Sequence, residues 1–152
     1  MNRLSQDEYF MRIARVASLR GNCYRRQVGC VLVNEHNEIL ATGYGGVPRG
    51  VPHCTPETCP RANSPSGSKM IDICPAVHAE MNAMIQCRDI WAIKTAYVTT
   101  QPCLTCTAML MNTGCIGIIF DEDYGLNNDA AKLWLSDKKR WMKRYALSKA
   151  VV

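Results

Sequence analysis

The strongest constraint on the fold is an alternation of helices and strands in the second half of the chain. The sequence predicts a helix over 78–87, a strand over 95–99, a second helix over 102–112 and a strand over 115–120. Pro102 suits a first helical position, because no amide donor is lost there. Strands that alternate with helices run parallel, so this half predicts a parallel part of a sheet.

The first half of the chain predicts one helix and a β-hairpin. Ser5 and Glu8 have the spacing of a capping box, and the apolar residues that follow repeat with a helical period up to about Leu19. Two runs rich in Val, Ile and Leu, over 28–33 and 38–42, are separated by a short polar link typical of antiparallel strands. Together the halves predict an α/β protein with a mixed sheet and helices on both of its faces.

Size and composition favour one globular domain over 1–152. Of the 152 residues, 47% are apolar and 20% are charged, which is ordinary for a globular protein. No apolar run is long enough for a membrane span and no signal peptide is evident, so we expect a cytoplasmic protein without a membrane partner. The segment from Asp129 is predicted to be mostly helical, with a solvated basic face formed by Lys138, Lys139, Arg140, Lys143 and Arg144.

The chain contains nine cysteines, an odd number that cannot pair completely into disulfides within one chain. Without an export signal, this count favours metal ligands and buried thiols. The segment 43–75 is dense in Gly, Pro, Ser and Cys and shows no apolar period. Because a loop of this length is uncommon in a compact domain unless it is functional, we expect it to contribute to a site.

Two short segments carry the chemistry, and each opens a predicted helix: His78-Ala79-Glu80 and Pro102-Cys103-Leu104-Thr105-Cys106. Cys103 and Cys106 share one helical face near an N-terminus whose partial positive charge favours thiolates. With His78 they supply three ligands for Zn²⁺ and leave the fourth position open, as in catalytic zinc sites. Zinc lowers the pKa of water, and Glu80, which is not needed as a ligand, is predicted to carry protons in the reaction.

The two segments together are more specific than either one alone. Cys-x-x-Cys also occurs in redox proteins and structural zinc ribbons, but neither class explains His78 and Glu80. His-x-Glu followed after about two dozen residues by Pro-Cys-x-x-Cys is typical of zinc deaminases. The pattern therefore predicts an enzyme that hydrolyses the amino group from C4 of a cytosine-type base.

On these residues the chain resembles the deoxycytidylate deaminases of bacteria and phages, within the cytidine deaminase superfamily. The similarity covers about 16–124 and includes six segments: 23–29, 43–50, 78–83, 97–99, 102–106 and 121–124. The resemblance implies a three-layer α/β/α domain that hydrolyses dCMP to dUMP and ammonia. It also implies a homohexamer that dCTP activates and dTTP inhibits, with Mg²⁺ accompanying the triphosphate effector.

The same resemblance assigns residues to the substrate. It makes Tyr124 the aromatic residue that stacks on the cytosine and Ala79 a backbone contact to the base carbonyl. Arg25, Arg26 and Arg49 are candidates for the phosphate, because a nucleotide needs fixed cations that a nucleoside does not. Each arginine could equally be solvated, and the loop with Arg25 and Arg26 could instead bind the triphosphate of an effector.

The resemblance further implies a second, structural zinc ion bound by Cys23, Cys54, Cys59 and Cys74, with His53 as a competing ligand. Four thiolates would form a closed tetrahedral site. Such a site would hold in place a loop that lacks an apolar core of its own.

The segment formed by Gly43, Tyr44, Gly45 and Gly46 corresponds to the nucleotide-sensing region of these relatives and departs from their Gly-Tyr-Asn-Gly pattern at Gly45. Two other functions stay open. A deaminase of cytidine, or of a base in nucleic acid, would use the same metal motif, although nucleic acid is not expected as a partner. A non-catalytic zinc protein that binds nucleotides or other proteins is disfavoured, since Glu80 would then have no reason to lie beside the metal.

Overall fold

The computed structural model describes residues 1–62, 74–123 and 128–147. These residues form four helices: α1 (Gln6–Ser18), α2 (Ala79–Gln86), α3 (Leu104–Met111) and α4 (Asn128–Leu135). They also form five strands: β1 (Gly29–Val33), β2 (Ile39–Tyr44), β3 (Thr95–Thr100), β4 (Gly117–Glu122) and β5 (Trp141–Arg144). The elements predicted from sequence periodicity before Asp129 are confirmed, with ends that differ by one or two residues.

The five strands form one mixed sheet in the order β2-β1-β3-β4-β5. Strand β1 is antiparallel to both of its neighbours, whereas β3, β4 and β5 are parallel to one another. All residues of β1 and β3 are buried, as expected for central strands that are covered on both faces. The predicted combination of an antiparallel hairpin with a parallel half is therefore confirmed.

Helices cover both faces of the sheet. On one face, α1 packs Phe10 and Ala14 against the strands, in a cluster with Val31 and Val33 of β1. On the other face, the alternate β1 residue Leu32 joins a larger cluster that contains residues of α2, α3 and α4: Ala79, Ala83, Leu110 and Trp134. Because successive residues of a strand point to opposite faces, β1 contributes to both clusters. The result is the predicted three-layer α/β/α arrangement.

The prediction that the segment from Asp129 is mostly helical is wrong in its second half. Helix α4 ends at Leu135, and 141–144 form the edge strand β5 beside β4. The amide of Trp141 donates to Ile116 and that of Tyr145 to Phe120, while the indole of Trp134 donates to the Trp141 carbonyl at 2.8 Å. These long-range hydrogen bonds satisfy the backbone of a segment that has no apolar period of its own.

The basic residues in this segment consequently do not form a helix face. Lys138 and Lys139 lie in the turn before β5. Arg140 lies over the Trp134 ring at 5.2 Å and donates to the Met111 carbonyl at 3.1 Å.

In the described part of the chain, no helix has both the length and the apolar character required to cross a membrane.

Close approach of α1 to the sheet depends on Gly29. A Cβ atom at this position would overlap the carbonyl oxygen of Ala14 and lie 2.6 Å from the amide nitrogen of Ser18. Both atoms belong to the backbone of a helix, so they cannot move aside as a flexible side chain would. The glycine therefore sets the distance between α1 and β1.

We predict that Gly29→Ala lowers the free energy of unfolding by about 1 to 3 kcal/mol, because it overpacks this contact. Denaturation by urea measures the change. Gly45→Ala is the matched control, since a Cβ atom there would have its nearest neighbour at 3.7 Å. Equal stability of the two variants would contradict the packing argument.

Candidate active site

The N-terminal ends of α2 and α3 bring three metal-ligating side chains together. His78 is the N-cap of α2, and its side chain makes no capping hydrogen bond. Cys103 is the N-cap of α3, and its Sγ accepts a hydrogen bond from the Cys106 amide at 3.4 Å. Pro102 thus precedes the helix rather than opening it, because the Cys103 thiol takes the capping position. The predicted meeting of His78, Cys103 and Cys106 is found.

The spacing of these ligand atoms fits a tetrahedral zinc ion. His78 Nδ1 lies 3.5 Å from Cys103 Sγ and 3.3 Å from Cys106 Sγ. Bonds of about 2.0 Å to nitrogen and about 2.3 Å to sulfur at tetrahedral angles require an N to S separation of about 3.5 Å. Among the described residues, this is the one group of three or more His, Cys, Asp or Glu ligand atoms that lie within 4.8 Å of one another.

The protonation of the two thiols also favours a cation. Hydrogen bonds from Cys106 and His78 lower the pKa of Cys103 to about 4, despite its partial burial. The pKa of Cys106 is raised, first by its hydrogen bond to the Cys103 thiolate and then by burial. Loss of the second proton would leave two negative charges side by side. A divalent cation between the sulfurs removes that penalty and stabilises both thiolates.

Glu80 lies beside this cluster in the first turn of α2 and is only 4% exposed. Burial raises its pKa to about 7, with smaller opposing contributions from its own backbone amide and from His78. A carboxyl group with this pKa can hold or release a proton near neutral pH. The geometry therefore gives Glu80 the properties of a general acid and base.

A cavity next to the cluster is also lined by arginines. Its wall includes His78, Ala79, Glu80 and Cys103 together with Gly45, Gly46, Thr100, Gln101, Arg25, Arg26 and Arg61. Ala79 is the first residue of α2, where backbone N–H groups have no partner within the helix. The predicted base contact Ala79 and the predicted phosphate ligands Arg25 and Arg26 thus share one cavity.

Two other predicted substrate residues have different outcomes. Arg49 is exposed and lies in a separate pocket with Asn22, Tyr44 and His53, not in the cavity of Glu80. The prediction that it binds the substrate phosphate is therefore not supported by its position. Tyr124 lies outside the described residues.

The predicted nucleotide-sensing segment is divided between the two pockets. Gly45 and Gly46 line the cavity of Glu80, whereas Tyr44 lines the pocket of Arg49. Gly43 lies under α2, where a Cβ atom would overlap the Ala79 carbonyl oxygen. The segment therefore connects the two pockets, and Gly43 has a packing role that its sequence did not indicate.

The four loop cysteines come near one another without completing a metal site. Cys23, Cys59 and Cys74 line the cavity of Glu80, and Cys54 lines an adjacent pocket with Cys23 and His53. Burial raises the pKa of Cys54, and the charges of Cys59, Cys23 and Cys74 add to this increase. No three ligand atoms of this group lie within 4.8 Å in the described part of the chain.

The sequence did not indicate Arg61, Thr100 or Gln101 as site residues. Thr100 is the last residue of β3, and Gln101 lies between this strand and the Pro-Cys-x-x-Cys segment. Their place after a central parallel strand is a general signal for binding loops and could have suggested them. Arg61 lies in the segment 43–75, called here the cysteine-rich loop, and does not follow a strand of the sheet directly.

Comparison with known proteins identifies the family. The model of the cytidine and deoxycytidylate deaminase zinc-binding region matches residues 4–121, and the chain belongs to this family. The deoxycytidylate deaminase of Mycobacterium phage D29 is 36% identical over 130 residues, which are 81% of this chain and 99% of the phage protein.

Two further matches extend this comparison. The deoxycytidylate deaminase of Schizosaccharomyces pombe is 40% identical over 134 residues, 86% of this chain, but the match spans only 41% of the yeast protein. The dCMP deaminase of cyanophage S-TIM5, solved with dCMP and dUMP, superposes with a TM-score of 0.72. The superposition covers 95% of this chain and all of the phage chain at 22% identity, and shows a shared fold.

We predict that Cys106→Ala weakens zinc binding at this cluster by more than about 100-fold, because one of three ligands is lost. Competition with a chelator, followed by metal analysis, measures the affinity. Glu80→Gln is the control, since it changes a neighbouring side chain that is not a ligand and should retain zinc. Unchanged zinc affinity in Cys106→Ala would place the metal elsewhere.

Proposed function

We propose that this protein hydrolyses dCMP to dUMP and ammonia within a single domain over 1–152. The observation that carries the proposal is one cavity whose wall contains buried Glu80, the metal-ligating residues His78 and Cys103, and three arginines. Deamination of a cytosine needs the metal ligands and Glu80, and binding of a nucleotide phosphate needs the arginines. The near full-length similarity to a phage deoxycytidylate deaminase supports this choice of substrate.

In the proposed reaction, His78, Cys103 and Cys106 hold the zinc ion. The ion, when bound, lowers the pKa of water so that a nucleophile is available near neutral pH. Glu80 takes the proton of the attacking water and passes it to N3 of the base. After the water oxygen has bonded to C4, Glu80 takes the second proton from that oxygen and gives it to the amino group, so that the C4 carbonyl forms, the C4–N bond breaks and ammonia leaves.

The remaining cavity residues orient the substrate. The Ala79 amide is a donor for the base carbonyl, and the guanidinium groups of Arg25 and Arg26 are donors for the phosphate. Nη1 of Arg25 is buried and has no hydrogen-bond partner among the described residues, so it is available to a ligand. Tyr124 completes the proposal as the ring that stacks on the cytosine.

A second zinc ion on Cys23, Cys54, Cys59 and Cys74 is part of the proposal. The charges of Cys59, Cys23 and Cys74 help to raise the pKa of Cys54, which supports it, because thiolates that repel one another are stabilised by a shared cation. Its role would be to order the loop that contributes Arg61 to the cavity wall.

Regulation and assembly are proposed from the family resemblance. The pocket with Tyr44, Arg49 and His53 supplies one guanidinium, a group that a triphosphate effector with Mg²⁺ could contact. We place dCTP activation and dTTP inhibition there, together with a homohexameric, cytoplasmic enzyme. The segment from Tyr44 to Gly46 would transmit the effect, since it lines both pockets.

We predict that the wild-type protein deaminates dCMP with a higher kcat/KM than CMP, deoxycytidine or a cytosine-containing oligonucleotide. Glu80→Gln should lower kcat at least about 10⁴-fold and retain zinc, because it removes a proton carrier used in several steps and preserves volume. Release of ammonia and zinc analysis provide the two measurements.

Preference for deoxycytidine or for the oligonucleotide would favour another cytosine carrier as the substrate. Zinc binding without turnover of any of the four compounds would favour a non-catalytic zinc protein. Activity of Glu80→Gln within tenfold of wild type would remove the proton-carrier role.

For the second zinc ion we predict two zinc ions per wild-type chain and one in Cys74→Ser. The variant should also lower Tm by at least about 5 °C, because the loop loses its metal. Cys87→Ser is the control, since Cys87 is a buried thiol that lies outside the cluster. One zinc ion in wild type, with an unchanged Tm in Cys74→Ser, would refute the second site.

A further inference from the structure

Arg61 lies at the end of a short segment that is well fixed by its own hydrogen bonds. The amide of Cys59 donates to the Thr55 carbonyl at 2.9 Å, and that of Ala62 donates to the Cys59 carbonyl at 3.2 Å. Thr55 and Thr58 cap each other, with amide to hydroxyl distances of 2.9 and 3.2 Å. The Cys59 side chain is buried, so packing also stabilises the segment. Arg61 therefore has a defined position in the cavity wall.

Among residues 1–62, 74–123 and 128–147, no carboxylate forms an ion pair with Arg61. The Nε atom of Arg61 is buried and has no hydrogen-bond partner among these residues. The described cavity wall contains Arg25, Arg26 and Arg61 but only one carboxyl group, Glu80. Buried cationic groups are costly unless an anion is paired with them. This arrangement favours an anionic ligand.

The location of Arg61 relative to the metal cluster limits what this anion can be. Arg61 lines the same cavity as the metal ligands His78 and Cys103, so one ligand in this cavity can contact both the guanidinium and the cluster. A ligand that reaches the cluster with one end and the arginines with the other must combine a base with a nearby anionic group. A nucleoside monophosphate has this form, and its dianion can accept hydrogen bonds from more than one guanidinium.

We propose that Arg61 is a specificity-determining residue that binds the phosphate of the substrate together with Arg25. This inference rests on the proposed deamination of a nucleotide and deepens it. Arg25 comes from the segment before β1 and Arg61 from the cysteine-rich loop, so the phosphate would join two parts of the cavity wall. Arg61 would thereby select a nucleotide over a nucleoside.

The test compares dCMP with deoxycytidine in wild type and in Arg61→Gln. We expect kcat/KM for dCMP to fall about ten- to a hundredfold, the range for one charge-assisted contact, while that for deoxycytidine stays within about threefold. The kcat/KM of Arg61→Lys for dCMP should lie between those of wild type and Arg61→Gln, because lysine keeps the charge but lacks the planar guanidinium. Arg88→Gln is the matched control, since Arg88 is exposed and lines none of these pockets.

Two results would overturn the inference. An equal loss for both substrates would indicate a structural role or an effect on the metal cluster, which zinc analysis of the variant identifies. An unchanged ratio of dCMP to deoxycytidine would show that Arg61 does not contact the phosphate. Arg25→Gln with Arg61→Gln should affect this ratio non-additively if both residues bind the same phosphate.

A binding measurement separates this inference from the proposed function. Calorimetry with dUMP and deoxyuridine needs no turnover, and Arg61→Gln should weaken binding of dUMP alone by about ten- to a hundredfold. A wild-type protein that binds dUMP selectively but deaminates nothing would refute the proposed function and keep Arg61 as a phosphate ligand. A wild-type protein that binds dUMP no better than deoxyuridine would overturn the assignment of Arg61.

Discussion

The site depends on the close packing of α2 against the edge of the sheet at Gly43. Only a residue without a Cβ atom allows the α2 backbone to approach β2 here, with the amide nitrogen of Ala83 only 2.5 Å from the position that a Cβ would occupy. This contact fixes the N-terminal end of α2, and with it His78 and Glu80. Because α3 begins shortly after β3, which belongs to the same sheet, the N-terminal ends of α2 and α3 meet and bring the metal ligands together.

The same packing sets the chemistry of the side chains. Glu80 lies between the core and the metal ligands, where loss of hydration raises its pKa towards neutral. The thiols of Cys103 and Cys106 lie at a helix N-terminus, where backbone amides favour negative charge. A carboxyl group that can hold a proton and the Cys103 thiol, which releases its proton readily, are therefore side by side, because the first is desolvated and the second is hydrogen-bonded. Together these properties suit a metal-assisted hydrolysis better than a structural metal site.

The cysteine-rich loop has a different relation to the core, because its sequence shows no apolar period and its described residues Cys59, Arg61 and Cys74 line the cavity. Two of the four cysteines proposed to bind the second zinc ion are followed by cavity arginines: Cys23 precedes Arg25 and Arg26, and Cys59 precedes Arg61. If the proposed second zinc ion binds these cysteines, the metal would order the cations that surround the substrate as well as the loop itself. Folding of the loop and selectivity for a phosphate would then be coupled, although the zinc-binding triad and Glu80 belong to the sheet and its helices.

The sequence by itself determined the elements that depend on local interactions: α1 with its Ser5 cap, the hairpin, the alternation of helices and strands, and the spacing of the metal motif. These features follow from hydrogen bonds and apolar periods within a few residues, so they are visible without the fold. Only the tertiary structure decided that 141–144 pair with β4, that Arg61 enters the cavity and that Arg49 does not. Each of these outcomes depends on contacts between segments that are distant in the chain. No local pattern encodes such contacts, because packing and backbone pairing across the whole domain select them.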